Sequence, residues 1–365
     1  MGNENAVELE DVSKVYVKDK VVDGVSFQVK EGDVFILIGP SGCGKTTTLK
    51  MINQLVPHTS GSIYVRGKDV TELDPVELRR SIGYVIQYIG LLPHLTIREN
   101  ITFVLQLMKY PKKQRWERAE ELIQTVGISE TYLDRYPREL SGGQQQRVGV
   151  ARALAANPEI LLMDEPFGAV DPITREQLQN ELLHLQETIN KTIIFVTHDM
   201  QEAFKVGNKI GIMRKGKFVE IGTAMEIIKC EDEFVRAFIG QGAILDALDT
   251  VAVAQLVNRS VPKFYNGESM SFKDTDLVDR WDNVFVLNER DICKGYLNLE
   301  DLDAQGRINE EKTSPLPPSC LPNSSVKSAI ENMLWNGRSW LPVVNEDEVF
   351  WGIITFEACA ALIVP

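Results

Sequence analysis

A glycine-rich loop that can cradle phosphate groups lies near the start of the chain. It reads Gly39-Pro40-Ser41-Gly42-Cys43-Gly44-Lys45-Thr46 and follows the apolar run Val34–Ile38. Glycines let the backbone curl so that its N–H groups converge on the β- and γ-phosphates, and the positive end of the following helix attracts the same groups. Lys45 neutralises phosphate oxygens, and the Thr46 hydroxyl is placed to ligate Mg²⁺. The predicted nucleotide contacts of this loop are Gly39, Ser41, Gly42, Gly44, Lys45, Thr46 and Thr47.

Two adjacent carboxylates follow a second apolar run. The run is Ile160–Met163, and Asp164 and Glu165 come directly after it. Asp164 is predicted to hold Mg²⁺, directly or through water, and to contribute to the nucleotide site. Glu165 is placed to polarise the water that attacks the phosphate. Strands often end in acids, so the pair gains its meaning from the phosphate-binding loop upstream.

Three further side chains would complete such a site. His198 follows the apolar run Ile193–Val196, on the side of a parallel sheet where nucleotide sites form, and this favours a contact with the γ-phosphate. Gln87 lies at another predicted strand end, where it could orient the water or contact Mg²⁺. Tyr16 lies in an early loop, where its ring could stack on adenine. The predicted catalytic residues are Glu165, His198 and Gln87, and the predicted Mg²⁺ ligands are Thr46, Gln87 and Asp164.

A second anion-binding motif lies well downstream of the first. Leu140-Ser141-Gly142-Gly143-Gln144 precedes a predicted helix, and a serine with backbone N–H groups at a helix start can hold a phosphate. One chain then has two phosphate-binding elements for one nucleotide. A two-fold dimer resolves this, because the loop of each subunit faces Ser141, Gly143 and Gln144 of the other, with two nucleotides clamped between them.

Composition and charge narrow the class of protein. The chain has 365 residues, longer than a typical single domain, and its five scattered cysteines argue against a disulfide framework or a zinc site. Its apolar runs are far shorter than the roughly 20 residues that span a bilayer, and its first residues do not read as a signal peptide. From Gln241 onward, 10 basic and 19 acidic residues give a balance of −9, out of −13 for the chain. This acidic tail speaks against nucleic-acid binding.

The order of predicted elements indicates an α/β fold. Short β-like runs fill residues 7–38, Lys45–Gln54 reads as a helix, and residues 90–156 are mainly helical. In this last stretch, Gln114–Thr125 carries charged residues on one predicted helix face and Trp116, Ala119, Leu122 and Ile123 on the other. The two later apolar strands, separated by a helix over about residues 174–189, favour a parallel sheet covered on both faces. A change of composition near residue 240 marks the end of a first domain, over 1–240.

The tail reads as two small pieces on either side of Ser314–Pro318, which is a linker by composition. The predicted tail elements are strands at Val284–Asn288, Gly295–Asn298, Leu341–Asn345 and Phe350–Thr355 and a helix at Ser324–Asn336. Their order gives a weak internal repeat. We predict a first, degenerate module over 241–312 and a second module over 313–365.

Taken in order, the motifs of residues 5–240 resemble the ATPases of ATP-binding-cassette (ABC) transporters. The shared positions are Tyr16, the loop from Gly39 to Thr46, Gln87, Leu140–Gln144, Asp164, Glu165, Asp171 and His198. The resemblance implies a mixed-sheet core with a helical subdomain and ATP as the nucleotide. It also implies that Tyr16 stacks the adenine, that Gln87 couples the site to membrane subunits, and that Asp171 lies at the dimer seam.

A closer resemblance is carried by the strings Arg79–Gln87, Leu92–Asn100 and Asp171–Arg175. They look like the quaternary-amine branch of these ATPases, which comprises the glycine betaine, carnitine and choline importers of osmoprotectant uptake. Tyr88 stands where the branch usually has a second glutamine, and Val170 where leucine is usual.

The tail resembles the paired cystathionine-β-synthase (CBS) modules appended to such ATPases, an α+β pair that senses ionic strength or binds a cyclic dinucleotide and throttles transport. Asp301 matches the acidic residue that can hold a ribose in such modules, but Ala358 occupies the equivalent place in the second one. The sequence leaves open whether the tail binds a nucleotide, senses ions or is structural.

The resemblance predicts an ATPase that energises import of a quaternary ammonium solute. It implies a homodimer of ATPase subunits, bound peripherally at the cytoplasmic face of the cell membrane to a separate integral permease, with an extracytoplasmic solute-binding protein or domain. One alternative is an importer of another small solute, such as an amino acid or a sugar, but the acidic helix–strand–strand–helix tail argues against the β-barrel of sugar importers. Another is a soluble cassette ATPase acting on ribosomes or DNA, which would carry a second cassette or a long insertion.

Overall fold

The computed structural model describes residues 5–87, 90–168, 175–176, 179–180, 182–183, 186, 191–240, 243–265, 283–298 and 313–362. The chain forms two compact units, Met1–Gly240 and Gln241–Pro365. No helix within these described stretches is long and apolar enough to cross a bilayer.

The first unit alternates strands and helices along the chain. Its strands are β1 (Asn5–Tyr16), β2 (Asp19–Lys30), β3 (Val34–Ile38), β4 (Ser60–Val65), β5 (Lys68–Asp69), β6 (Ile82–Val85), β7 (Ile160–Asp164), β8 (Thr192–Thr197), β9 (Lys209–Arg214) and β10 (Lys217–Gly222). Its helices are α1 (Lys45–Ile52), α2 (Pro75–Ser81), α3 (Ile97–Leu107), α4 (Lys112–Thr125), α5 (Gly142–Leu154), α6 (Met200–Val206), α7 (Ala224–Lys229) and α8 (Glu233–Ile239). Short 3₁₀ turns lie at Val70–Glu72, Glu130–Tyr132 and Pro137–Glu139.

The larger sheet of this unit has the strand order β10-β9-β3-β8-β7-β6. Neighbouring strands from β9 to β6 run parallel, and β10 is antiparallel to β9. Every residue of β3, β7 and β8 is buried, because strands covered on both faces exclude water from both sets of side chains. The predicted parallel, covered sheet is therefore confirmed, with an antiparallel strand added at one edge.

The parallel direction brings the carboxyl ends of five strands, β9, β3, β8, β7 and β6, to one edge of the sheet. Ile38 at the end of β3 pairs with Thr197 at the end of β8, and Asp164 at the end of β7 pairs with Val196. β6 lies beside β7 in the same direction. The predicted site residues that follow these strands must therefore lie close together.

A second, antiparallel sheet has the order β2-β1-β4-β5. Its first two strands are 12 residues long each and form one hairpin, whereas the sequence predicts several short runs. The difference arises because register shifts interrupt the pairing of β1 with β2 at several points. Such bulges break the period-2 alternation that marks a strand in a sequence. Asp11 in one irregular stretch has a φ of 47°.

Three helices, α3, α4 and α5, pack against one another and confirm the predicted helical stretch. Ala119, Leu122 and Ile123 of α4 are buried as predicted, but Trp116 is 40% exposed. Its ring lies beneath two cations instead, with Arg98 4.8 Å and Lys112 4.3 Å from the ring centroid. In the region of the predicted helix over 174–189, the described residues are helical and the others lie outside the described part of the chain.

The described residues of the second unit form two small sheets. Its elements are α9 (Ala243–Leu248), β11 (Lys263–Tyr265), β12 (Asn283–Leu287), β13 (Cys293–Asn298), α10 (Val326–Trp335), β14 (Trp340–Val344), β15 (Phe350–Thr355) and α11 (Phe356–Ala360), with a 3₁₀ turn at Val253–Gln255. The strand orders are β11-β12-β13 and β14-β15. The predicted strands of the tail and the helix before β14 are confirmed at these positions.

Residues from both predicted modules contribute to a hydrophobic core of the tail. Phe285 stacks on Phe350 at 5.1 Å between ring centroids, and Trp340 meets both Phe285 and Tyr296 edge-on. The stretch predicted as a linker takes part in this structure, because Ser314 exchanges two backbone hydrogen bonds with Tyr296. Ser314, the first residue of the predicted linker Ser314–Pro318, is therefore paired with β13.

Candidate active site

The phosphate-binding loop leaves β3 at Ile38 and enters α1 at Lys45. Gly39 and Gly44 have φ angles of 153° and 109°, which residues with a Cβ rarely adopt. A Cβ at Gly39 would also lie 2.2 Å from the carbonyl oxygen of Met213 on β9. Glycine at position 39 is therefore required by the backbone angle and by the close approach of β9.

The amino end of α1 is open to an anion. Its N-cap residue is Gly44, so no side chain accepts from the first N–H groups of the helix. Ser41 and Gly42 are exposed, and Thr46 and Thr47 are half-buried in the first turn. Convergent N–H groups and the positive helix end together favour a phosphate at this position.

Lys45 lies inside the loop and is only 6% exposed. Its Nζ donates hydrogen bonds to the carbonyl oxygens of Gly39, at 2.7 Å, and Pro40, at 3.1 Å. These two carbonyl groups hold the ammonium group within the curve of the loop. The site thus carries a positive charge where phosphate oxygens would enter.

Thr46 and Asp164 form the oxygen-rich part of the site. The Thr46 hydroxyl donates to Asp164 Oδ1 at 2.7 Å, so the first turn of α1 is joined to the end of β7. The carboxylate is 3% exposed. Burial raises the pKa of Asp164 above its ordinary value, and the negative charge of Glu165 acts in the same direction, while the hydrogen bond from Thr46 opposes both.

Glu165 is the residue at which the three predicted catalytic side chains meet. Gln87 Nε2 donates to Glu165 Oε2 at 3.0 Å, and His198 Nδ1 lies 3.3 Å from the same oxygen. The Glu165 backbone has a φ of 45°, and its N–H group donates to the carbonyl oxygen of Val196 on β8. Sequence-distant residues after β6, β7 and β8 therefore converge on one carboxylate.

Tyr16 is the last residue of β1 and pairs with Asp19 of β2, so its predicted place in a loop is wrong. Its side chain is 43% exposed, and the Nζ of Lys14 lies 4.8 Å from the ring centroid. The ring thus has a cation on one side and an accessible apolar surface, which suits stacking on a base.

The Ser141 motif starts α5 as a capping box. The Ser141 hydroxyl accepts from the Gln144 N–H group at 3.3 Å, and the Ser141 N–H group donates to Gln144 Oε1 at 3.0 Å. A Cβ at Gly142 would meet no heavy atom within 4 Å, so the helix start has free space around it. The hydrogen bonds of Ser141 and Gln144 described here stay within this helix start, where the sequence predicts an anion-binding surface.

Sequence reasoning missed a group of polar residues behind His198, namely Arg175, Thr197, Asp199 and Glu202. Glu202 is 4% exposed, and burial raises its pKa. A carboxylate among the apolar positions of α6 was the available signal. It also missed Tyr84, whose buried hydroxyl has no hydrogen-bond partner among the described residues. Burial and the nearby charge of Asp164 raise the pKa of this phenol.

Some predicted positions fall outside the described residues. These are Tyr88, Val170, Asp171 and Asp301. Ala358 is described and lies in α11.

Comparison with known proteins agrees with the geometry of this site. The family model described as "ABC transporter" matches residues 22–168. The Bacillus subtilis protein named glycine betaine/carnitine/choline transport ATP-binding protein OpuCA is 45% identical over 358 residues, covering 96% of this chain and 94% of the relative. The chain belongs to the ABC transporter family, as an ATP-binding subunit. Its predicted identity as an ATP-hydrolysing ABC ATPase is thereby confirmed.

Other relatives and solved structures resemble this ABC ATPase. The Listeria monocytogenes carnitine transport ATP-binding protein OpuCA is 43% identical, covering 96% of this chain and 90% of the relative. The Salmonella typhimurium osmoprotectant import ATP-binding protein OsmV is 39% identical, covering 96% and 94%. A dimeric ATP-binding cassette, MJ0796, in a post-hydrolysis state bound to ADP and Pi is similar with a TM-score of 0.55 and 36% identity, over 60% of this chain and 98% of that one.

Proposed function

We propose that this ABC ATPase energises the import of a quaternary ammonium solute, such as glycine betaine, carnitine or choline, through a separate membrane permease. The assignment of the cargo rests on the similarity of nearly the whole chain to relatives that are named for transport of these solutes or of osmoprotectants, at 39–45% identity. No pocket for the cargo is required in this chain, because the solute passes through other subunits.

The phosphate-binding loop and α1 would hold the triphosphate. Backbone N–H groups of Gly42 and Gly44, with the open end of α1, face the phosphate oxygens, and Lys45 neutralises them. Ser41 and Thr47 flank this site as further polar contacts. Tyr16 would stack on the adenine with its exposed ring face.

Thr46 and Asp164 suit Mg²⁺, because this ion takes oxygen ligands and is usually held by one or two carboxylates together with substrate phosphates. Their 2.7 Å hydrogen bond already places a hydroxyl and a buried carboxylate side by side. Gln87 would add an amide oxygen. When bound, Mg²⁺ neutralises charge on the phosphates, and it also compensates the buried charge of Asp164.

Glu165 would orient and polarise the attacking water as the general base. Gln87 and His198 hold its Oε2 within 3.3 Å, so the carboxylate is fixed before the nucleotide arrives, which reduces the cost of positioning during the reaction. His198 would also contact the γ-phosphate, where its ring can donate to the charge that develops on transfer.

The nucleotide site is completed by a second copy of the chain in this proposal. Ser141, Gly143 and Gln144 of one subunit would face the phosphate-binding loop of the other. The dimer would bind peripherally at the cytoplasmic face of the cell membrane to an integral permease, with an extracytoplasmic solute-binding protein or domain delivering the cargo. No nucleic acid takes part.

We further propose that residues 241–312 and 313–365 form a CBS pair that regulates transport. The −9 charge of this unit makes a response to ionic strength physically reasonable, since screening weakens repulsion among surface charges. In the other form of this proposal, the pair binds a cyclic dinucleotide. A purely structural role of the tail would contradict both forms.

The test is uptake of labelled glycine betaine, carnitine and choline at low and high osmolarity. Cells would carry the intact chain, Glu165→Gln, or the control Glu117→Gln, which alters an exposed carboxylate on α4. We expect osmotically stimulated uptake of at least one solute, abolished by Glu165→Gln and retained by Glu117→Gln. If Glu165→Gln left the uptake of all three solutes unchanged, the proposed cargo would be wrong. The chain would then energise an importer of another solute.

A further inference from the structure

A nearly buried carboxylate, Glu202 of α6, lies behind the turn that carries His198. The Thr197 hydroxyl donates to Glu202 Oε2 at 2.5 Å, and Arg175 Nε lies 3.8 Å from Glu202 Oε1. Neither Glu202 nor Arg175 belongs to the nucleotide contacts described above. A carboxylate that is only 4% exposed is destabilised by desolvation unless it is paired and hydrogen-bonded.

The Thr197 hydroxyl fixes the His198 turn from both sides. It accepts the N–H group of Asp199 at 3.0 Å while its hydrogen goes to Glu202. A hydroxyl has one hydrogen to donate, so the carboxylate of Glu202 sets its direction and leaves its lone pairs for Asp199. The residues immediately before and after His198 are thus held by one group that Glu202 orients.

Asp199 and Glu202 share one cation. Asp199 Oδ1 accepts from the Gln201 N–H group and caps α6, while Arg175 Nη1 donates to Asp199 Oδ2 at 3.3 Å. The same guanidinium lies beside Glu202. Two acids this close repel each other, and a planar fork of donors can serve both at once.

Arg175 also connects the segment that follows Glu165 with the turn that carries His198. It lies ten positions after Glu165 in the sequence, on the segment that leaves the carboxylate, and it contacts the turn whose His198 ring lies 3.3 Å from Glu165 Oε2. A shift of that turn would therefore change the distance between His198 and Glu165.

We propose that Arg175 and Glu202 are positioning residues for ATP hydrolysis: together they hold the Thr197–Asp199 turn so that His198 meets Glu165 and the γ-phosphate. This inference rests on the proposed role of His198. We expect an effect on the rate of ATP hydrolysis and none on the affinity for ATP, because the triphosphate is held by the loop and α1. Loss of the pair lowers kcat and leaves the KM for ATP nearly unchanged.

The purified full-length chain would be compared as Arg175→Met, Glu202→Gln and the control Lys205→Met. Lys205 pairs with Glu176 at 4.0 Å and so joins the residue after Arg175 to α6, but Glu176 is 71% exposed. A displacement of about 1 Å costs on the order of 100-fold in rate, so we expect kcat to fall roughly 10- to 100-fold in both test variants. We expect the control to keep the kcat of the unaltered chain.

A second background separates positioning from general damage. In His198→Ala, the proposed clamp has nothing left to position, so adding Arg175→Met should lower kcat no further. If the two substitutions lowered kcat multiplicatively, the inference would be wrong. It would also be wrong if Arg175→Met raised the KM for ATP and left kcat unchanged. His198→Ala alone with unchanged kcat would instead overturn the proposed role of His198. Should Arg175→Met unfold on heating far below the intact chain, Glu202→Gln, which keeps an acceptor for Thr197, carries the same test in the same backgrounds.

Discussion

At the residue scale, the proposed Mg²⁺ ligand Asp164 must be charged to bind the ion, but a buried charge lowers the stability of the nucleotide-free protein. Burial raises its pKa in the folded chain, so the folded state binds more protons than the unfolded state between the ordinary pKa and the raised one. Stability therefore falls as pH rises through that window and stays lower above it. Asp164→Asn should raise the melting temperature of the nucleotide-free protein at neutral pH and remove this slope, because asparagine keeps an acceptor for Thr46.

The same substitution should abolish the extra stabilisation that Mg²⁺ gives beyond ATP alone, measured by melting with and without the ion. Asp69→Asn is a control of opposite sign, since hydrogen bonds from Thr71 lower the pKa of Asp69. It should not raise the melting temperature and should leave the Mg²⁺ effect intact. A melting temperature for Asp164→Asn below that of the intact chain at neutral pH would contradict the argument.

Lys45 and Glu165 should separate nucleotide binding from hydrolysis. Lys45→Ala removes the cation held inside the loop, and a lost charged hydrogen bond of about 1.5–3 kcal/mol predicts roughly 10- to 100-fold weaker ATP binding. Glu165→Gln keeps the loop and should bind ATP normally while hydrolysis falls about 10²- to 10⁴-fold. Binding of a fluorescent ATP analogue and phosphate release measure the two effects. Near-normal turnover in Glu165→Gln would show that another group is the base.

At the element scale, the start of α5 combines an observed helix cap with a proposed phosphate contact, and one substitution can separate the two. Ser141 caps the helix through its hydroxyl, and aspartate caps a helix about as well as serine. Ser141→Asp should therefore change the melting temperature little, while its charge repels the phosphate of a nucleotide held by a second copy. ATP-dependent dimerisation, followed by size-exclusion chromatography in the Glu165→Gln background, should be lost.

Thr223→Asp is the matched control for this effect. Thr223 caps α7 in a capping box of the same kind, through Glu226, and it is not among the predicted nucleotide contacts. Dimerisation should survive there. A Ser141→Asp chain that still dimerises around ATP would mean that the α5 start does not face a phosphate.

The elements themselves were predictable to unequal degrees. β3, β7 and β8 were evident because each is an unbroken apolar run that ends at a chemical motif. The long β1–β2 hairpin was not, since its bulges hide the alternation. Helical periodicity alone predicted that Trp116 lies on the buried face. Periodicity does not show that Arg98 and Lys112 can cover an aromatic ring at the surface.

The site was predictable where it rests on contiguous motifs. Parallel strand ends implied that Gln87, Glu165 and His198 would be neighbours, and the structure joins them through one carboxylate oxygen. The Arg175–Glu202 contact could not be predicted, because it depends on how the segment after Glu165 lies against α6. Pairing between positions 27 residues apart has no signature in one sequence.

At the scale of the whole molecule, the charge is concentrated in the second unit. Residues from Gln241 onward carry −9 of the net −13, and the unit has its own core around Phe285, Trp340 and Phe350. The proposed catalytic residues Gln87, Glu165 and His198 all lie before Gly240. The two units are therefore expected to be separable in function, with hydrolysis in the first.

Removal of residues 241–365 should leave basal hydrolysis intact and change its dependence on salt. Interactions among exposed charges weaken as the Debye length falls from about 10 Å at 0.1 M salt to about 3 Å at 1 M, so a tail that regulates through charge acts differently across this range. ATPase rates of the intact and shortened chains would be measured from low to high salt. Neutralising the exposed turn between β14 and β15 with Glu346→Gln and Asp347→Asn should change the salt response in the same direction but less. Identical salt curves for all three chains would exclude ionic sensing by the tail, and lost basal hydrolysis would show that the first unit depends on it.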